Sequence, residues 1–201
     1  LDLEWVGPYG GLRGTTSIEL VVGTTANVTM NGNFPLPGNI LVDIDGNQYN
    51  TILLGSQIWM VQNLKVTKYR DGSEIPQITQ TVEWEADVDG AYSFFNNSAS
   101  NFEQYGCLYN WYALSDPRNI APEGWHIPTD DEWNELEMFL GMGEEYLDYI
   151  GFRGTDHGSR LAGNPNLWND GVLESIAEFG TSGFNALPGG YRAGNGQYED
   201  I

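Results

Sequence analysis

The chain of 201 residues has few cations, one cysteine and two histidines. Only 8 Lys and Arg stand against 28 Asp and Glu, a formal net charge of -20 at pH 7. Such a surface repels phosphate backbones, so nucleic acid is excluded as a partner. Two readings of the acidity stay open: plain solubility, or carboxylates that bind a divalent cation, since oxygen-rich acidic loops are what calcium takes. With Cys107 alone, no intrachain disulfide forms and a cysteine-rich zinc site is out. Between Gly106 and Leu108 it reads as a small buried apolar residue. His126 and His157 sit in unlike contexts, which argues against a catalytic metal site. No apolar run approaches the roughly 20 residues of a membrane span. No signal peptide is visible, and Leu1 in place of Met points to processing or to a missing N-terminal part.

What the chain does have is glycine and rings: 26 Gly, 7 Trp and 11 Tyr. That mixture suits short strands and turns around large side chains and does not suit a helical bundle. One stretch carries firm local instructions, Gly124-Trp125-His126-Ile127-Pro128-Thr129-Asp130-Asp131-Glu132-Trp133. Thr129 and Glu132 have capping-box spacing, and three acids fill a first turn where the helix dipole favours them. Trp133, Leu136 and Leu140 then share one face, and Gly141 is a stop. The pattern predicts a helix over 129–140, and a weaker one within 144–149.

Residues 1–38 differ from the rest. They are rich in Gly and Thr, with β-prone runs at 17–22 and 26–30, an Asn31-Gly32 turn and a Pro-rich linker at 34–38. We expect an N-terminal strand-forming extension, either the end of a preceding β-domain or an arm that pairs with a neighbour, followed by a domain over 39–201. Residues 40–54 read as a hairpin turning at Asp45-Gly46, and 57–61 as another strand. Tyr69-Arg70-Asp71-Gly72 is a turn. The ring-dense stretch 105–114 is expected in the core as a short helix or strand, residues 151–183 mostly as loop, and 184–192 as a strand closed by glycines. The pattern is α+β: short strands, one firm helix and long loops.

Several segments carry a resemblance. They include Asp43-Ile44-Asp45-Gly46-Asn47-Gln48-Tyr49, Gly55-Ser56-Gln57-Ile58-Trp59-Met60-Val61-Gln62-Asn63-Leu64 and Tyr69-Arg70-Asp71-Gly72-Ser73-Glu74-Ile75-Pro76. Tyr105-Gly106-Cys107-Leu108-Tyr109-Asn110-Trp111-Tyr112, the helix start at 124–133 and Gly183-Phe184-Asn185-Ala186-Leu187-Pro188-Gly189-Gly190-Tyr191-Arg192 follow in order. Over about residues 40–201 the set resembles the Fibrobacter succinogenes major paralogous domain family, found in secreted and surface proteins of Bacteroidota and relatives. The resemblance implies a C-type-lectin-like fold, of the kind seen in formylglycine-generating enzymes and phage variable receptor-binding proteins. It implies no defined activity. Family members usually continue past Gly-Gly-Tyr-Arg into an aromatic-rich segment and final strands. The domain is therefore expected to be C-terminally incomplete, with those strands lying beyond this sequence, removed by processing or supplied by another chain.

Formylglycine-generating enzymes use two cysteines to handle copper, and one cysteine argues against that activity, so no enzyme is expected. Asp43-x-Asp45-Gly46-Asn47 begins like a calcium loop. Gln48 replaces the sixth-position glycine and Leu54 the twelfth-position acid, which excludes an EF-hand. A hairpin turn is the favoured explanation, and Asp43, Asp45 and Asn47 stay calcium candidates, as do Asp87 and Asp89. Trp59, Trp111, Trp125 and Trp133 fall in the family motifs and read as core. Trp84 and Trp168 fall in loop-like stretches and are the candidates for stacking on a sugar. His126 is expected to bond a backbone carbonyl and His157 to lie in a loop. The expected function is a non-enzymatic extracellular or cell-surface protein with a structural or adhesive role. It would be a subunit of a surface filament or assembly, joined to its own copies or to other surface proteins by strand pairing between chains. The alternative is a monomeric glycan- or protein-binding module of a larger surface protein.

Overall fold

The computed structural model describes residues 2–6, 13–17, 40–147, 149 and 153–199. The chain divides into two compact units, Leu1–Phe34 and Pro35–Ile201. In the first, β1 (Asp2–Val6) pairs antiparallel with β2 (Arg13–Ser17), with Asp2 opposite Ser17 and Val6 opposite Arg13. These strands lie ahead of the β-prone runs read from sequence. Beyond Ser17, those runs and the linker at 34–38 lie outside the described residues.

The second unit is built from short antiparallel pairs. β3 (Leu41–Val42) pairs with β4 (Gln48–Tyr49), and β5 (Thr51–Leu54) with β6 (Gln57–Met60). β7 (Tyr92–Ser93) pairs with β8 (Leu108–Tyr109), and β9 (Tyr191–Arg192) with β10 (Tyr198–Glu199). Each sheet has two strands, and none closes among the described residues. The single hairpin expected over 40–54 is thus two hairpins. Gly55, at φ +61°, makes a second tight turn with Ser56 between β5 and β6. Asn50 separates the two, its N–H donating to the Gln62 side chain and its carbonyl accepting from Val61.

Among the described residues five α-helices join the strands: α1 (Thr81–Ala86), α2 (Ala99–Tyr105), α3 (Trp111–Ser115), α4 (Asp130–Phe139) and α5 (His157–Leu161). α4 is the helix the sequence predicted, with Thr129 as N-cap and both halves of the capping box made. Four shorter helices accompany that one firm helix. Each is five to seven residues long, too short to show a hydrophobic period. The predicted weaker helix is a 3-10 turn, Glu144–Tyr146. The observed class is α+β.

The second unit has two apolar clusters. Val66, Tyr69, Ile75, Tyr92, Cys107, Ala113 and Ile120 form one. Leu54, Trp59 and Leu136 form the other, with Trp133 and Phe184 packed against them. Trp59 lies 4.8 Å from Trp133 and 5.6 Å from Phe184, centroid to centroid, so three rings from three remote segments meet in tilted pairs. Trp111 departs from expectation. It is 73 % exposed at the start of α3, and Tyr112 beside it is 44 % exposed. Asn110 caps α3 by accepting from the Ala113 N–H. That fixes the helix so that Ala113 is buried while the two rings ahead of it face outward.

Candidate functional site

The segment from Ile40 to Asn47 has an inverted pattern. Asp43 is 6 % exposed, while Ile40, Val42 and Ile44 around it are 61 %, 51 % and 46 % exposed. Asp43 is held inside because its carboxylate accepts from the N–H groups of Asp45 and Asn47, the Asn47 side-chain amide and the Tyr49 hydroxyl at 2.6–3.0 Å. Burial, with the hydrogen bond to Asp43, raises the Tyr49 pKa far above its ordinary value. Asp45 accepts from the Thr67 N–H and hydroxyl at 2.6 and 2.8 Å and pairs with Lys68 at 3.1 Å. Burial by itself would raise the Asp45 pKa; these partners outweigh it and hold the carboxyl below the usual range.

The turn orients the strand. The Asp43 N–H donates to Asn47, so that pair is hydrogen-bonded, and bonded and non-bonded pairs alternate along an antiparallel ladder. The N–H and C=O of Val42 therefore point away from β4. Among the described residues no strand pairs with that edge. Beside it lies a cleft of about 260 Å³ whose lining includes Val42, Ile44, Arg70, Ile120, Pro122 and Glu123. Its floor is preformed. Ile120 and Ala121 are buried, and the Arg70 guanidinium donates to the carbonyls of Ala121, Pro122 and Trp125 at 2.8–3.1 Å.

The calcium candidates do not fit the ion. The Asp43 and Asp45 carboxylates face N–H, O–H and ammonium donors, which a cation would have to displace. Asp87 accepts from the Gly90 N–H and the Asn110 side chain and locks a loop onto α3. Asp89 is exposed. No group of three or more His, Cys, Asp and Glu converges among the described residues. Asn47 is itself a donor to Asp43.

The aromatic candidates divide. Trp84 is not on a loop surface: it sits in α1, 6 % exposed, and its indole N–H donates to the Ala193 carbonyl at 3.1 Å. It cannot stack on a sugar. Trp168 is half-buried and donates to the Gly163 carbonyl. His126 bonds the Glu132 carboxylate at 2.7 Å, so the capping glutamate serves both helix start and histidine. His157 is buried at the start of α5 and not in a loop. Cys107 is buried, and burial pushes its thiol up to about 12, so it stays protonated at neutral pH and is not activated as a nucleophile. The sequence reading missed Ile40, Val42, Ile44, Trp111 and Tyr112.

A family model, the Fibrobacter succinogenes major domain, matches residues 52–201. The chain belongs to this family. No curated protein and no solved structure matches it. In this Fibrobacter succinogenes major domain the motif residues serve packing. Trp59, Trp133 and Phe184 form the aromatic triad. Gly190, at φ +60°, leaves room for the Phe95 ring, which a Cβ would meet at 2.5 Å. Arg192 is buried between the rings of Trp84 and Tyr198, at 4.3 and 4.9 Å, and donates to the carbonyls of Gly196, Ile78 and Thr79.

Proposed function

We propose that the chain is a non-enzymatic protein of the cell surface or extracellular space, a structural or adhesive subunit joined to a larger assembly by strand pairing between chains. The observation that carries this reading is the row Ile40, Val42 and Ile44, exposed along an unpaired strand edge in a chain of net charge -20. The chain gains from covering such a row, and an open edge is a template for another strand. Fully burying a side chain of this kind contributes about 1.5–3 kcal/mol, so covering three half-exposed ones adds roughly 2–4 kcal/mol. That is below the ordering cost of association, about 4–15 kcal/mol, so backbone hydrogen bonds must add to it. Pairing at an edge supplies them. None of the described helices is long and apolar enough to cross a membrane. The helix start at 124–133 and the Gly189-Gly190-Tyr191-Arg192 segment support a C-type-lectin-like scaffold of the formylglycine-generating-enzyme kind. The resemblance to surface proteins supports the location. Deleting residues 1–38 tests the strand-forming arm: electron microscopy should show assembly abolished, and unchanged polymer would contradict the reading.

A second reading, a monomeric glycan- or protein-binding module, is favoured by a different observation. Trp111 and Tyr112 present adjacent exposed rings on a capped helix, and such rings stack on apolar sugar faces. A glycan array should show hits that Trp111→Ala removes. An array with no hits on the intact protein sinks this reading.

A further inference from the structure

We infer that the open edge of β3 and the cleft beside it receive an extended segment of a different protein, apolar on alternate residues and flanked by Lys or Arg. The inference rests on the assembly reading above and adds which kind of chain supplies the strand. Two features of the site define it. The Val42 N–H and C=O point outward with no strand paired there among the described residues, which offers main-chain pairing. The adjoining cleft, about 260 Å³, is smaller than the roughly 300–1,000 Å³ of small-molecule sites, so it holds one or two side chains. Main-chain bonds along an edge with a pocket for alternate side chains are the two parts of β-strand addition. The Arg70 bonds to the 121–125 loop hold the pocket open before the partner arrives, which lowers the cost of ordering.

Charge selects the occupant. Glu123 lines the cleft and is exposed. Asp71 is exposed on the 69–72 turn, where a Cβ on Gly72 would lie 3.9 Å from Ile44. Asp43 is buried beneath. Arg70 is the cation of the cleft, and nearby Arg118 is paired with Asp116 at 2.7 Å. The local balance is acidic and the whole chain carries -20, so a second copy is repelled and a basic segment attracted.

The test uses the full chain and a synthetic peptide alternating valine and threonine with lysine at both ends. Fluorescence anisotropy should give saturable binding, and hydrogen exchange at the Val42 amide should slow at least tenfold. The same peptide with glutamate ends should bind at least tenfold more weakly, as should the lysine peptide to Glu123→Lys, an exposed position that leaves the fold intact. Val42→Pro, which removes the outward N–H, should abolish binding. No saturable binding, equal binding of the two peptides, or an unprotected Val42 amide would overturn the inference. So would a dimer of the chain alone that Val42→Pro dissolves, since the occupant would then be a second copy. If the peptide fails while the native particle still assembles, this inference falls and the assembly reading stands. If the peptide binds to a chain whose native particle is a monomer, the reverse holds.

Discussion

At the residue scale, acids that looked available for ligands act as internal fasteners. Asp43 and Asp87 gather donors from their own loops, and Asp45 ties its turn to Thr67 and Lys68, which lets two-residue strands hold without a large sheet. Their contribution depends on charge. Asp45 is held below its ordinary value near 3.9, so its stabilisation is complete above about pH 5 and is lost as pH falls through its folded value, below about 4. Asp45→Asn should cost about 1–2 kcal/mol at pH 7 by urea unfolding, and the gap from the unaltered chain should close below about pH 4. A gap independent of pH would contradict this. The polarity of this segment was not legible in the sequence. Strand alternation puts the Ile40, Val42 and Ile44 face inside, but four hydrogen bonds bring Asp43 in and turn the apolar row outward.

At the element scale, legibility tracked how local the instruction was. α4 was readable because its cap, its acids and its apolar face lie within a dozen residues. α3 was legible only as a short helix or strand, because one Asn cap and a single buried Ala hold it in place. The β9–β10 hairpin depends on partners far away in sequence: Arg192 reaches carbonyls at Ile78 and Thr79 and the ring of Trp84. Arg192→Leu leaves those carbonyls without their donor and should cost about 2–4 kcal/mol in urea unfolding. Arg192→Lys should recover only part, because a compact ammonium cannot fan out to three carbonyls between two rings. A loss under about 0.5 kcal/mol for Arg192→Leu would remove the hairpin's staple from the account.

At the scale of the whole molecule, the family was legible because its motifs are packing residues that meet only in the fold. Trp59, Trp133 and Phe184 are far apart in the chain and within 6 Å of one another as rings. The surface was less legible: the exposed rows at β3 and α3 depend on which side of a short element faces in. The central claim is that this acidic chain joins others through strand edges. Light scattering on the native particle tests it most directly. The account predicts a particle that holds this chain together with a second protein, with a mass well above that of one chain, falling to the single-chain value with Val42→Pro. A native particle with the mass of one chain would contradict it.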